Sequence, residues 1–206
     1  MLSLEPFTTT PSISGTVAGL AADVTGRIDD RPPLLLLHGL TFDRRLWQPT
    51  LAELRALDPD RRTFAVDLPG HGESPDAPAY DLTSMAERVR RVVVEGGLVD
   101  PVLVGHSASA AVVAIYASQF PTSGIVEVEG GFDVGPFAGL VQSFPPGLLR
   151  TDFDAVWARV SGAAFRLDEV SPDVRAFVAA TSRPRANVVL GNWRDLIERP
   201  VDELEA

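Results

Sequence analysis

Two patterns of hydrophobic residues alternate along the first two thirds of the chain. Short continuous apolar runs, bounded by proline, glycine or charged residues, are typical of strands that are buried on both faces of a sheet. These runs lie at 34–37, 62–67, 102–104 and 124–130. A weaker alternation over residues 16–24, which ends at Gly26, predicts one further strand.

Between the strand-like runs, apolar residues recur every three or four positions, which indicates amphipathic helices. One such stretch covers 46–57 and a second covers 82–93. Asp81 or Ser84 is the expected cap of the second, and a third helix, rich in small residues, is predicted over 108–120. Strands that alternate with helices predict an α/β fold, a mostly parallel sheet with helices on both faces.

The pattern changes after Phe132. Residues 133–147 are rich in glycine, proline and phenylalanine, and the helical patterns that follow include no strand. We therefore predict two parts, a core of strands and helices over residues 1–133 and a helical lid or cap segment over residues 134–206. Helix signals in the second part are an apolar face at Phe153, Val156, Trp157 and Val160, a start at Ser171-Pro172, and a segment over 186–206.

Composition narrows the classes of function. The chain has 206 residues, of which 45% are hydrophobic and 22% charged, and its formal net charge is −10. This charge argues against nucleic acid and anionic membrane as partners. The lack of cysteine excludes disulfides and zinc–thiolate sites, and the sequence contains no apolar span long enough for a transmembrane helix. The first residues lack the basic start and apolar core of a signal peptide. We expect a cytoplasmic protein and predict no cofactor and no metal ion.

One stretch, residues 101–110, has the pattern of a catalytic turn. An apolar run ends at Gly105, Ser107 follows, and a run of small residues then predicts a helix. A sharp turn from strand to helix places such a serine hydroxyl in an exposed position above the end of a sheet. Gly105 and Ser109 are small enough for strand and helix to pass close together there, although Ser109 replaces the second glycine of the usual G-x-S-x-G motif. A serine that merely caps a helix is the alternative interpretation.

Two further motifs follow neighbouring predicted strands. They are His-Gly-Leu-Thr at 38–41 and Asp-Leu-Pro-Gly-His-Gly-Glu-Ser at 67–74. Together with the serine turn, in this order and at this spacing, they resemble the alpha/beta hydrolase family over residues 16–133. The resemblance implies the fold of that family, with its functional groups at the C-terminal ends of the strands.

The resemblance also implies a role for each matching residue. Ser107 corresponds to the nucleophile, and the backbone N–H groups of Leu40 and Ala108 correspond to the oxyanion hole. Attack on an ester or amide carbonyl places negative charge on oxygen, and each preorganised N–H donor stabilises it by about 3 kcal/mol. His38 corresponds to the histidine that orients the oxyanion loop.

Other polar and aromatic residues have both a functional and a structural interpretation. His38 lies on the same rim as Ser107 and is also a candidate base, whereas packing and hydrogen bonding in a Gly-His-Gly turn explain His71. The side chain of His106 is expected to point away from that of Ser107. Arg44 and Arg45 are candidates for binding an anionic substrate group, or form a solvated helix start. Residues of an apolar acyl pocket, or alternatively of the lid core, are Phe132, Phe137, Phe144 and Trp157.

A serine nucleophile needs a base and an acid that orients it, and this part of the pattern is missing. No histidine follows His106, although Glu129 and Asp133 are candidate acids. In the family that the chain resembles, the catalytic histidine comes last, after a final strand. We therefore expect a truncated fragment of a longer enzyme, rather than a short form that no longer catalyses or one in which His38 replaces the base. The sheet would be incomplete at its C-terminal side, and its exposed edge predicts marginal stability or a dimer.

Three functions remain open. The leading hypothesis is a hydrolase that acts on small ester or related carbonyl substrates through an acyl-enzyme; a serine at the turn argues against dehalogenase and epoxide hydrolase mechanisms, which use a carboxylate. The second is a dinucleotide-binding unit with Glu127 or Glu129 as its acidic residue, although Ser107 takes the place of the second glycine. The third is a non-catalytic binding protein on a hydrolase scaffold.

Overall fold

The computed structural model describes residues 13–129, 135–144, 148–165 and 167–194. Within these residues a six-stranded sheet has the order β1-β2-β4-β3-β5-β6. Its two N-terminal strands pair antiparallel, β1 with β2 and β2 with β4, and the other neighbours are parallel. The strands are β1 (Ile13–Val17), β2 (Leu20–Thr25), β3 (Leu34–Leu37), β4 (Thr63–Val66), β5 (Val102–His106) and β6 (Gly124–Val128).

Helices connect the parallel strands, and the elements that the structure describes after β6 are also helices. A 3-10 turn at Arg44–Trp47 leads into the first helix. The helices are α1 (Gln48–Leu57), α2 (Leu82–Glu95), α3 (Ser109–Gln119), α4 (Gly135–Gln142), α5 (Leu148–Thr151), α6 (Phe153–Phe165), α7 (Pro172–Thr181) and α8 (Ala186–Asn192). The predicted α/β fold is therefore confirmed, as an open and mostly parallel sheet with helices.

The single strand predicted over residues 16–24 is wrong, because that segment is a hairpin. Val17 pairs with Leu20, so only Ala18 and Gly19 form the turn between β1 and β2. Both have positive φ, 54° and 76°, as the two-residue hairpin turns that match strand twist require. An alanine in this conformation is uncommon, so local sequence rules predict no turn between Val17 and Leu20.

Helices cover both faces of the sheet. Leu35, Leu37 and Leu103 point toward α2 and α3 and form the main core with the buried valines of those helices. On the other face, Leu36 packs in a cluster with Trp47 of the 3-10 turn and Leu51 of α1. Asp81 caps α2, since its side chain accepts the Ser84 N–H at 3.0 Å.

The second half of the chain has its own hydrophobic cluster and a link to the main core. Its buried members are Val141, Phe144, Val156, Val160, Val189 and Trp193. Val188, the neighbour of Val189 on α8, belongs instead to the main core. The Gly/Pro/Phe-rich stretch over 133–147, for which no helix was predicted, contains α4. The predicted helix over 186–206 is observed at Ala186–Asn192, and its part beyond residue 194 lies outside the described residues.

Within the described part of the chain, no helix combines the length and the apolar character needed to cross a membrane.

Candidate active site

Ser107 lies in a strained turn between β5 and α3. Its φ is 52°, in the left-handed region that non-glycine residues rarely adopt. The turn is held at both ends, because the Ser107 N–H donates to the Val128 carbonyl at 2.9 Å and the Ala110 N–H donates to the Ser107 carbonyl at 2.8 Å. A Cβ on Gly105 would lie 2.4 Å from the carbonyl oxygen of Ser109, so only glycine fits at this approach of strand to helix.

The loop after β3 runs beside this turn. Its Leu40 N–H shares a planar peptide with the Gly39 carbonyl, which accepts hydrogen bonds from His38 Nδ1 at 2.8 Å and from the Phe42 N–H at 3.0 Å. In a trans peptide the N–H points opposite to the C=O, so these bonds fix the direction of the Leu40 N–H. Neither the Leu40 N–H nor the Ala108 N–H donates a hydrogen bond to another described residue.

Leu40 and Ala108 also line the same small cavity, whose volume is about 20 Å³. Ala108 is the N-cap residue of α3, so the positive end of the helix dipole adds to the field there. The remaining lining is mostly apolar and comes from the main core and α8. It consists of Leu68, His71, Tyr80, Met85, Ser109, Val112, Val188 and Asn192.

Successive carbonyls of the 38–41 loop are each held by a different part of the molecule. The His38 carbonyl accepts from the Ser109 hydroxyl at 2.5 Å, and the Leu40 carbonyl accepts from His71 Nε2. The Thr41 carbonyl accepts the Arg183 N–H at 2.6 Å, from the connection between α7 and α8. Because the partners come from separate elements, the loop is fixed by the whole fold rather than by its own sequence.

His38 is completely buried, and its ring is fully engaged. Its Nε2 accepts the Leu68 N–H at 2.9 Å, so the proton of the neutral ring is on Nδ1 and is donated to the Gly39 carbonyl. Burial lowers the pKa of His38 well below its usual 6.5. The candidate role of His38 as a base is therefore wrong, since neither nitrogen is free to accept a proton from Ser107.

The other two histidines are also engaged away from Ser107. Both ring nitrogens of His71 face carbonyl oxygens, those of Pro69 and Leu40. The His106 ring packs edge-on against Phe42 and Trp47 on the α1 side of the sheet, and burial lowers its pKa. Among the described residues, no histidine nitrogen makes a hydrogen bond to the Ser107 hydroxyl.

Glu129 is the candidate acid that the structure describes. Glu129 follows β6 with φ 52°, and its carboxylate lies 3.8 Å from His106 Nε2. That carboxylate is mostly exposed. Asp133 lies outside the described residues.

Arg44 is neither free for a substrate nor solvated, so both interpretations of Arg44 are wrong. Arg45, at the start of the 3-10 turn and with 43% of its side chain exposed, fits the interpretation of a solvated helix start. The nearly buried Arg44 guanidinium contacts the carboxylates of Asp23, Asp67 and Glu73. Burial alone would lower its pKa, but the three carboxylates outweigh burial and raise the pKa. Arg45 forms an ion pair with Asp43 and donates to the Ala180 carbonyl at 2.8 Å.

The aromatic candidates that the structure describes belong to the hydrophobic cluster of the second half of the chain. Phe144 is buried in that cluster, and Trp157 packs against Trp193. Phe132 and the side chain of Phe137 lie outside the described residues. Among the residues the structure does describe, no group of three histidine, aspartate or glutamate side chains could hold a metal ion.

Sequence reasoning missed two contributors to this site. Ser109 was treated only as a small residue, and nothing in the sequence indicated its bond to a carbonyl 71 positions away. The connection between α7 and α8 was also missed, although its Ser182 hydroxyl lies 2.9 Å from the Thr41 hydroxyl. Both contacts join residues far apart in the chain, which local patterns do not reveal.

Comparison with known proteins adds independent findings. The model of the alpha/beta hydrolase family matches residues 34–204. The chain is 32% identical over 129 residues to 2-succinyl-6-hydroxy-2,4-cyclohexadiene-1-carboxylate synthase of Enterobacter sp. (strain 638), a match that covers 62% of this chain and 46% of that protein. It is 32% identical over 105 residues to the sn-1-specific diacylglycerol lipase ABHD11 of Mus musculus, covering 51% of this chain and 33% of that protein.

Solved structures show the same fold at lower identity. A thermophilic esterase from Thermogutta terrifontis superposes with a TM-score of 0.66 at 20% identity, covering 94% of this chain and 74% of that chain. An esterase from Exiguobacterium antarcticum superposes with a TM-score of 0.62 at 16% identity, covering 91% and 73%. The chain spans less than half of the length of the two curated relatives named above.

Proposed function

The chain belongs to the alpha/beta hydrolase family, and from that premise we propose that it hydrolyses small ester or related carbonyl substrates through Ser107 and an acyl-enzyme. One observation carries the proposal. Ser107 occupies a strained turn between β5 and α3, and Leu40 and Ala108, whose N–H groups donate to no other described residue, line one cavity. Similarity to esterases and to a lipase supports the class of substrate.

In the proposed reaction, the Ser107 oxygen attacks the carbonyl carbon, and the carbonyl oxygen becomes negatively charged. The N–H groups of Leu40 and Ala108 donate to that oxygen, each stabilising the transition state by about 3 kcal/mol. Collapse of the intermediate breaks the bond to the leaving alcohol and produces the acyl-enzyme, which water then hydrolyses to the acid and the free serine.

The Ser107 proton must pass to a base as the new bond forms. His38 and His71 hydrogen-bond to backbone groups, the His106 ring packs against Phe42 and Trp47, and none of the three hydrogen-bonds to the Ser107 hydroxyl. This observation favours the second candidate function, a non-catalytic protein that binds a small molecule on a hydrolase scaffold. The dinucleotide-binding hypothesis is not supported, because the match to the alpha/beta hydrolase family includes β5, the Ser107 turn and α3, on which that hypothesis was based.

Labelling with a fluorophosphonate probe distinguishes the two candidates. The probe phosphonylates only an activated serine, so we expect the intact protein to be labelled at Ser107, located by mass spectrometry of the digest. Ser107→Ala should abolish labelling, and Ser118→Ala, which removes an exposed hydroxyl from α3, should leave it unchanged. Folded protein that stays unlabelled would contradict the hydrolase proposal and favour the binding protein.

A further inference from the structure

We propose that Ser109 is a positioning residue of the oxyanion hole: its hydroxyl joins the helix that carries one N–H donor to the loop that carries the other. The inference rests on the proposed function, because it concerns the same two donors, Leu40 and Ala108. Ser109 stands where the usual G-x-S-x-G motif has glycine, a residue that could not make this bond.

The contact is direct and buried. Ser109 is only 2% exposed, and its Oγ donates to the His38 carbonyl oxygen at 2.5 Å. A serine in a helix commonly bonds to a backbone carbonyl one turn earlier in the same helix. Ser109 instead donates to the carbonyl of His38, in the loop after β3 and 71 positions away in sequence. The hydroxyl is therefore used for a link between elements rather than within one.

The two ends of this link lie next to the two donors. At one end, Ser109 immediately follows Ala108, whose N–H is at the start of α3. At the other end, the His38 carbonyl begins the loop that contains Leu40, and the His38 ring fixes the peptide of the Leu40 N–H through the Gly39 carbonyl. One hydrogen bond thus constrains the separation of the two N–H groups.

That separation matters because both donors must reach one developing oxyanion. An effective donor lies about 2.7–3.1 Å from the oxygen, and sites tolerate errors of only about 0.5 Å. Loss of the Ser109 hydroxyl removes neither N–H group, but it allows the loop and the helix that carry them to move apart. The expected effect is on the rate of reaction at Ser107 rather than on binding of the reagent.

The test measures the saturation kinetics of fluorophosphonate labelling, which separates the maximal rate from the concentration for half-maximal rate. We expect Ser109→Ala and Ser109→Gly to lower the maximal rate about tenfold with little change in the half-saturating concentration. Ser109→Thr keeps the hydroxyl and adds one methyl group at a residue that lines the cavity, so it should restore most of the rate.

Thr63→Val is the matched control. Thr63 is also buried, and its hydroxyl donates to the Arg61 carbonyl at 3.1 Å, at the opposite end of β4 from the site. It should lower the melting temperature without slowing labelling of the folded protein. If Ser109→Ala behaves in the same way, or if Ser109→Thr fails to restore the rate while folded, the positioning role is wrong.

A second readout separates this inference from the proposed function. The amide resonances of Leu40 and Ala108 in ¹⁵N-labelled protein report on the two donors whether or not Ser107 reacts. We expect both resonances to shift in Ser109→Ala and to stay in place in Thr63→Val. If the wild type is not labelled but both resonances shift in Ser109→Ala, the hydrolase proposal is contradicted and the Ser109 link is not. If the resonances do not move in Ser109→Ala, the link between loop and helix is wrong.

Discussion

His38 shows how a single residue can position a site and make the fold sensitive to pH. It is held in one neutral tautomer by a donor and an acceptor of the backbone, and burial lowers its pKa well below 6.5. Protonation would place a proton against the Leu68 N–H, so the hydrogen bond would be replaced by repulsion. The ring therefore serves the loop only while it stays uncharged.

We expect this histidine to destabilise the protein as the pH falls. Above pH 6.5 both folded and unfolded His38 are neutral and stability is unaffected; below it the unfolded state binds a proton that the folded state does not, so stability falls. The loss is about 1.4 kcal/mol per pH unit until the folded ring also titrates. Urea unfolding at pH 7.5, 6.5 and 5.5 measures it.

His38→Gln provides the comparison, because glutamine does not titrate. We expect the variant to be less stable at pH 7.5, where a hydrogen bond is lost, but to lose less stability on acidification than the wild type does. The partly buried His106, whose pKa is also lowered by burial, contributes a loss of the same sign in both proteins. An equally steep loss in His38→Gln would show that other groups cause the acid sensitivity.

At the scale of elements, the Arg44 ion network joins three segments on the rim of the site. Asp23 lies on β2, Arg44 begins the turn before α1, and the fully buried Asp67 follows β4. The Asp67 carboxylate also accepts the backbone N–H groups of Arg44 at 2.6 Å and Glu73 at 2.8 Å. The network thus holds the loop after β4, which carries His71 and supports the oxyanion loop.

Removal of Arg44 should be costly, because it leaves the buried Asp67 carboxylate without its cation. We expect Arg44→Met to lower the free energy of unfolding by about 3–5 kcal/mol, and Arg44→Lys to lower it less. Arg27→Met is the matched control, since Arg27 pairs with Asp60 on the surface, where the two side chains are 75% and 47% exposed. Its effect should lie within the error of a urea unfolding experiment. Equal effects of Arg44→Met and Arg27→Met would contradict the network's structural role.

For the whole molecule, local patterns predicted the sheet and its helices but not the contacts that complete the site. Apolar runs and helical spacing depend on burial along one segment, so β3 to β6 and α1 to α3 could be located from sequence. The partners of Arg44, Ser109 and Thr41 come from other elements, and their pairing follows from tertiary structure. The interpretation of Arg44 as a substrate ligand failed for this reason.

The β6 edge of the sheet is the feature of the whole molecule with the clearest consequence in solution. Among the described strands, β6 pairs only with β5. Its Val126 and Val128 side chains are 46% and 37% exposed, which leaves apolar surface beside unpaired backbone groups. Such edges pair with other strands unless charge or cover prevents it. The net charge of −10 opposes self-association, and salt screens that repulsion.

We therefore predict a dimer, through β6, whose population rises with protein concentration and with salt. Size-exclusion chromatography with light scattering should show a mass that increases from low to high ionic strength at a fixed loading. Val126→Lys places a charge on this edge and should keep the protein monomeric, whereas Val99→Lys, at a valine that is 76% exposed outside the strands, should not. A monomer at all concentrations and salt levels would contradict the prediction. Equal dimerisation of wild type and Val126→Lys would place the interface elsewhere.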